Sequence, residues 1–536
     1  MGWDEVKRAR LRLSREQGAI VKDWGGRIPI ALIYPNSYYL GMSNLAVHTI
    51  YSLLNSYSGI VCERVFWERD NWSSGRLVLS LESQRPLRDF AVLAFSISYE
   101  LDYLNLTQIL RANGIPLQAT ERNRSHPLII AGGPCITANP LPLSPFFDCL
   151  CIGEAEAILP AMLPILSVNM VESRHDLIKA LALLPGCYVP LAHSGNAVAR
   201  QWVGDLNDFP VTSVILTPDT ELGELFLIEV ERGCSWGCRF CLVSHTFNPI
   251  RYRSVDKLVA QAQEGFKYRK RLGLVGAAVA DYPQIEDLVV RLRQMGAELS
   301  ISSLRMSPLS PVLLREMVRS GVRTIALAPE AGSERLRRII KKGVSEDSIL
   351  RAMANVAEQK IKQLKLYFMI GLPSETDEDI EEIIKLTLDC QSILDRQNAN
   401  CRMVLNVTPF IPKAGTPFQW LPMERLQILN RRLSLLKKRL SPRGIKIKCE
   451  SMAWSQVQAV FARGDANLAG VLASLDEASL SGWRRAVAKC HLDVAFYAHQ
   501  IWTTSQRLPW EVVDLGIDAG YLESELKKAM AQFKLS

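Results

Sequence analysis

Three cysteines, Cys234, Cys238 and Cys241, crowd into the stretch ERGCSWGCRFC. Random placement of 12 cysteines in 536 residues would give roughly 0.006 triplets of this spacing, so the grouping has a chemical reason. The set is wider than a lone Cys-x-x-Cys redox pair, and no fourth cysteine follows nearby to complete a zinc ribbon. Three thiolates can hold three irons of a [4Fe–4S] cluster, which normally takes four cysteines. The fourth iron is then open to a group that is not protein, as metal-centred catalysis requires. Gly233 and Gly237 let the backbone turn tightly around an inorganic core, and Phe240 can pack against a planar group beside it. The competing reading closes a zinc site with a distant His or Cys. It would make the chain a non-catalytic zinc-binding or iron–sulfur interaction protein.

Such a loop needs a rigid base. It follows the apolar run LFLIEVERG and precedes a helical pattern from Ser254, the first of six strand–helix units. The later strands are LVGAAVAD, ELSISSLR, TIALAPE, LKLYFMIG and MVLNVTPFIP. Six units are too few for an eight-unit barrel of about 250 residues, so a partial (β/α)6 TIM-type barrel is expected over 223–422. An earlier series (IPIALIYP, FAVLAFSIS, PLIIAGG, CLCIG) alternates with helical patterns over 25–185. Near-continuous apolar strands of this kind predict a doubly wound parallel α/β sheet, with ligands beyond its carboxyl edge. Residues 1–24 read as a helical extension, 186–222 as a connector and 423–536 as a small α-rich module. Cys149 and Cys151 alternate along a strand and read as small hydrophobes.

Bulk properties narrow the class. With 48% hydrophobic and 22% charged residues the chain reads as globular, not disordered. The start, MGWDEVKRARLRLSREQG, lacks the apolar run of a signal peptide, and no later stretch is long enough for a membrane span. A cytoplasmic location without membrane contact is expected, where thiols serve packing, metals or catalysis. The net charge of +8 permits an anionic partner without demanding one.

CSWGCRFC resembles the radical SAM signature, Cys-x3-Cys-x-aromatic-Cys, on the loop after the first strand of a partial barrel. The resemblance implies that the open iron chelates S-adenosylmethionine. One electron then cleaves that cofactor to a 5′-deoxyadenosyl radical, drawn from a reducing donor such as flavodoxin or ferredoxin. APEAGSERLR is similar to the ribose-contacting segment of radical SAM methylthiotransferases and implies that Glu330 and Ser333 hold ribose hydroxyls. Ser303 and Arg305 could reach a carboxylate or ribose, and Gly371 allows close approach to the adenine. Where the family has Gly-Gly-Glu, this chain has GAAVADYP, leaving Asp281 as the candidate for the methionine amine. Arg251 and Arg253 could steady an anionic cofactor or be solvated.

The first domain resembles the cobalamin-binding domain of the B12-domain radical SAM class, within a largely uncharacterised bacterial subfamily. That resemblance implies cobalamin held near Ser96, Ser98, Gly132, Gly133, Gly153 and Glu154, and methyl transfer to an unreactive carbon. The Asp-x-His-x-x-Gly signature of a cobalt-ligating histidine is absent, and His48 reads as a packed helix-face residue. The rival is a cobalamin-free enzyme modifying RNA or protein, like the methylthiotransferases. Residues 431–448 carry eight Lys or Arg, but Leu433, Leu435, Leu436 and Leu440 make an amphipathic stripe, so a solvated helix face is favoured over nucleic-acid contact. No substrate motif is recognisable.

Overall fold

The computed structural model describes residues 3–533 apart from 69–76, 170–172, 302–303, 307–308, 360, 398–399 and 519. The first sheet contains β1 (Ile28–Tyr34), β2 (Ile60–Phe66), β3 (Val92–Ser96), β4 (Leu128–Gly132), β5 (Cys149–Cys151) and β6 (Cys187–Tyr188). Their order is β2-β1-β3-β4-β5-β6, parallel except for the antiparallel edge β6. Side chains alternate across β1. Ile30 and Leu32 meet the helices Leu45–Ser56 and Ala155–Asn169, whereas Ala31 and Ile33 join the core shared with Tyr103–Ala112. This is the doubly wound α/β fold, with its switch point between β1 and β3.

β2 escapes a hydropathy reading because Glu63 and Arg64 interrupt IVCERVF. Arg64 is fully buried, donating to Glu16 Oε2 at 2.6 Å and Glu82 Oε1 at 2.7 Å. Such a group stays charged inside only because both partners go in with it.

β7 (Val198–Ala199) belongs to the connector. β8 (Phe226–Glu229), β9 (Glu231–Arg232), β10 (Arg251–Tyr252), β11 (Arg271–Val275), β12 (Glu298–Ile301), β13 (Thr324–Glu330), β14 (Gln363–Ile370), β15 (Arg402–Pro409), β16 (Lys446–Cys449) and β17 (Val513–Asp514) follow. Two parallel sheets make the partial barrel, β12-β11-β8 and β13-β14-β15-β16. The strand β16 extends the second sheet from within the stretch read as α-rich, and β17 returns from the tail to pair with β7.

The basic tract lies largely on the helix Leu426–Leu440, which turns Leu429, Leu433, Leu436 and Leu440 into the core. Its Arg431, Arg432 and Arg439 pair with Asp377, Glu375 and Glu381. Tail tryptophans also pack. Trp502 and Trp510 stack with centroids 5.7 Å apart, and Arg463 lies 4.0 Å over Trp502. Among the described residues no helix is long and apolar enough to cross a membrane.

Candidate functional site

The cysteine loop leaves β8 through β9 and returns through β10, which pairs antiparallel with β9 (Arg251 opposite Arg232, Tyr252 opposite Glu231). Gly233 has φ +97°, and a Cβ there would lie 2.5 Å from Phe247 O, so the first turn requires glycine. Inside the loop Cys241 N–H donates to Cys238 O at 3.0 Å, and His245 Nε2 lies 3.1 Å from the same carbonyl. Arg239, between the second and third cysteines, is buried and donates to Ile339 O at 2.7 Å and Glu525 Oε2 at 3.2 Å. The loop is therefore braced by the segment after β13 and by the helix Tyr521–Phe533.

Burial pushes the Cys234 thiol up, opposed by a hydrogen bond from the Trp236 backbone. It pushes Cys238 up to about 12, with the Lys342 ammonium opposing. The three sulfurs influence one another, and Arg305, Lys342 and Glu330 bear on them. Cations facing the thiols favour thiolates, the form that binds metal. Among the described residues no three Cys, His, Asp or Glu side chains gather closely enough to hold one ion. A cubane gives each cysteine its own iron, so it asks for a wider triangle than zinc does.

Trp236, inside the motif, organises the neighbouring wall. Its Nε1–H donates to Asp281 Oδ2 at 2.6 Å, and Arg305 stacks on its ring with Cζ 3.2 Å from the centroid. Arg305 Nε lies 3.4 Å from Asp281 Oδ2, while its buried Nη2 has no hydrogen-bond partner among the described residues. A buried guanidinium with an idle N–H suits a carboxylate supplied by a ligand. Ser303 lies outside the described residues.

The Gly-Ala-Ala sequence after β11 has a structural counterpart. Glu231 from β9 reaches over, and its Oε1 accepts the Ala278 N–H at 2.5 Å. A Cβ on Gly276 would lie 2.7 Å from Glu231 Cγ, so that glycine makes room for the intruding side chain. Burial pushes the Glu231 carboxyl up to about 7 against the pull of the Ala278 N–H, and Oε2 has no hydrogen-bond partner among the described residues. A carboxylate thus stands at the end of the second barrel strand although that strand does not encode it. The identity of Glu231, three residues before Cys234, carries no local signal of this reach.

Other expected residues fall into place unevenly. Glu330 ends β13 at φ +68°, a left-handed conformation rare outside glycine, and pairs with Lys342 at 3.0 Å. Ser333 caps the helix Glu334–Ile339, accepting from Leu336 N–H at 3.2 Å and donating to Asp379 Oδ1 at 2.5 Å. Its proton and one lone pair are engaged there, which leaves one lone pair of the hydroxyl. Gly371 has φ +78°, and a Cβ would meet Leu429 at 2.7 Å, so helix packing and backbone conformation explain the glycine. Phe240 packs against the main core. Arg251 and Arg253 are neither solvated nor free for a cofactor: Arg251 grips Glu154 through both oxygens (2.7 and 3.0 Å), and Arg253 pairs with Glu229 at 2.5 Å.

In the first domain, a cavity of about 270 Å³ opens at the carboxyl ends of β3, β4 and β5. Ser96, Ser98, Gly132, Gly133, Gly153 and Glu154 all line it, with Leu45, Ile50 and Leu159 behind them. Arg232 and Phe247 of the cysteine loop close its far side. Gly133 (φ +118°) lets the chain pass the Ile97 carbonyl and Gly153 (φ +128°) the Gln201 backbone. Glu154 acts as a clamp between domains, pairing with Arg232 at 2.9 Å as well as with Arg251. Glu154→Gln keeps the shape and removes the charge facing two guanidiniums, so we expect a loss of about 2 kcal/mol. A lowered urea midpoint, with earlier proteolysis of 186–222, would register it.

His48 is committed to structure, with Nε2 3.0 Å from Met42 O and Nδ1 accepting from Val214 N–H at 3.2 Å. Asn36-Ser37-Tyr38-Tyr39-Leu40-Gly41 has the spacing of the missing cobalt-ligand signature, but Tyr38 is buried and donates to Glu16 Oε1 at 2.5 Å. Neither side chain is available to cobalt. The residues present fit a corrinoid held without a metal bond from these two positions.

The family description "Radical SAM proteins, N-terminal" matches residues 46–190, and "Radical SAM superfamily" matches 228–387. An uncharacterised protein of Methanocaldococcus jannaschii is 32% identical over 451 residues, covering 83% of this chain and 90% of its own. The tRNA-2-methylthio-N(6)-dimethylallyladenosine synthase of Sorangium cellulosum is 29% identical over 236 residues, 38% of this chain and 47% of that protein. In fold, the chain is similar to the cobalamin-dependent S-adenosylmethionine radical enzyme OxsB solved with aqua-cobalamin, at TM-score 0.50 and 12% identity over 94% of this chain and 80% of that one. With a near-full-length relative and both family descriptions on its two α/β units, the chain belongs to the radical SAM superfamily, whose enzymes work with a [4Fe–4S] cluster and S-adenosylmethionine.

Proposed function

We propose that this radical SAM enzyme transfers a methyl group to an unreactive carbon with the help of cobalamin. The observation that carries the reading is the shared wall: the cavity at the carboxyl edge of the first sheet is closed by Arg232 and Phe247 of the cysteine loop. Ligands of the two domains would then meet face to face. When bound, the cluster and the corrinoid supply the electron that cleaves S-adenosylmethionine and the methyl group that is moved. The protein's part is to hold and to exclude. Cys234, Cys238 and Cys241 are the cluster ligands in this reading. Arg305 offers its idle N–H to the methionine carboxylate; Glu231 and Asp281 offer oxygens toward its ammonium. Glu330 with Lys342 borders the ribose, and Phe240 backs the loop.

The electron donor is a small reducing protein of the flavodoxin or ferredoxin kind. Anaerobic reconstitution with iron, sulfide and hydroxocobalamin, followed by gel filtration, tests the proposal. A retained corrinoid spectrum is expected, then 5′-deoxyadenosine and a methylated product on incubation with S-adenosylmethionine, reductant and cell extract. Cluster-dependent cleavage without retained corrinoid would overturn the cobalamin step and favour a methylthiotransferase-like reaction on RNA or protein. Zinc in place of iron and sulfide would remove the catalytic reading altogether.

A further inference from the structure

Beside the cavity just described lies a second cleft, of about 430 Å³, at the switch point between β1 and β3. Tyr34, Asn36, Asn44, Tyr99 and Asp102 line it from the first domain, and Val275 at the end of β11 faces it from the barrel. The two spaces share Leu45, and Asn44 Nδ2 donates to Ser98 Oγ at 3.1 Å between them. Asp102 is the unusual group. It is only 2% exposed, and its Oδ1 accepts from Asn36 Nδ2 at 2.7 Å. Its Oδ2 has no hydrogen-bond partner among the described residues. Although it directly precedes the helix Tyr103–Ala112, its side chain makes no capping bond there.

A buried carboxylate oxygen left without a donor is costly, so a structural role does not explain it. Burial holds the Asp102 carboxyl up at about 7, with Asn36 pulling it down and Glu100 adding to the rise. Glu100 has its own cation, Lys413. The first cavity is mainly apolar and suits a flat aromatic tail. The second has a larger polar share, with Asn36, Asn44 and Asp102 presenting acceptors, and faces the barrel. A corrinoid has both parts: an aromatic nucleotide tail and a macrocycle rimmed with primary amides.

We propose that Asp102 Oδ2, steadied through Oδ1 by Asn36, accepts an N–H from one of the propionamides on the rim of the macrocycle, while the nucleotide tail fills the neighbouring cavity. The assignment rests on the corrinoid reading above and adds to it the point at which the ring is gripped.

Anaerobic binding titrations at pH 8, followed through the corrin absorbance, test it. Hydroxocobalamin and cobinamide, which lacks the tail, are both used. Asp102→Ala is expected to weaken both by about 10- to 100-fold, as loss of a hydrogen bond to a charged acceptor would. Thr49→Trp, which fills the first cavity, is expected to weaken hydroxocobalamin alone. The cobalamin b-, d- and e-monocarboxylates give a measurement that does not depend on the alanine variant folding. One isomer places an anion against Asp102 and is expected to bind wild type at least about 10-fold more weakly than hydroxocobalamin, a difference erased in Asp102→Asn. Equal affinities of wild type and Asp102→Ala, or three indistinguishable monocarboxylates, would overturn the assignment. A wild-type protein that retains no corrinoid overturns the parent reading instead.

Discussion

Cys238→Ala abolishes the brown absorbance of the reconstituted protein and, with it, the formation of 5′-deoxyadenosine from S-adenosylmethionine. This is the expected result because Cys238 is the most enclosed of the trio, at 7% exposure, and sits on the turn that joins it to Cys241. Two remaining thiolates leave two irons without protein ligands, and such a cluster does not survive handling. The effect should be complete, not graded, in iron and sulfide content and in product. Cys149→Ala serves as the comparison, since that thiol is buried in the first domain's core and should leave the cluster intact. A Cys238→Ala protein with full iron, sulfide and product would refute the ligand assignment.

The second large effect is expected from Arg239→Ala. The change takes from the Glu525 carboxylate, 4% exposed at its side chain, one of three cations, with Lys341 and Lys528 remaining, and frees the Ile339 carbonyl from its donor. Losing a charge-assisted hydrogen bond and the donor of a carbonyl together costs about 2–4 kcal/mol. Here the loss falls on the loop that carries the cysteines. Faster iron release to a chelator should accompany the lower thermal midpoint. Glu525→Ala removes the same contact together with the Lys341 and Lys528 pairs, and the double variant should be less than additive because the Arg239–Glu525 contact is shared.

Acid should act on the same pair. Burial favours the neutral Glu525 carboxyl, but Lys528, Lys341 and Arg239 outweigh it and hold its pKa at about 2. A folded-state value below the ordinary one means the contribution is present above about pH 4.5 and is lost as pH falls toward 2. Loop opening in the apoprotein, read as quenching of tryptophan fluorescence by neutral acrylamide, should rise over that window in wild type. In Glu525→Gln it should already be high at pH 7.

Much of this was legible in the chain because it is local. The cysteine spacing needs eight residues to be read, and strand–helix alternation with apolar strands announces a parallel α/β fold at each step. What escaped is nonlocal. β2 looks like a polar interruption until Glu16, Glu82 and Trp24 arrive to pair with Arg64 and Glu63. β16 sits behind a basic helix and resembles part of it. Glu231 was passed over because its target lies 47 positions downstream, and Glu525 because it is 286 positions from the arginine it holds. Glycines carry a mixed signal. Protein packed against Gly371 and Gly153 accounts for both, and Gly153 lines the cavity as well.

The brace on the cysteine loop also has a consequence in time. The residues from Arg239 to Glu525 emerge over roughly 15–60 s of ribosomal elongation, during which the barrel strands can already fold. Until the far helix docks, the nest for the iron–sulfur cube lacks its outer strut. Loading of the metal should therefore trail the birth of the barrel and wait for a nearly finished polypeptide. A pulse-labelled nascent chain arrested before residue 521 should acquire little sulfide even where assembly machinery is abundant.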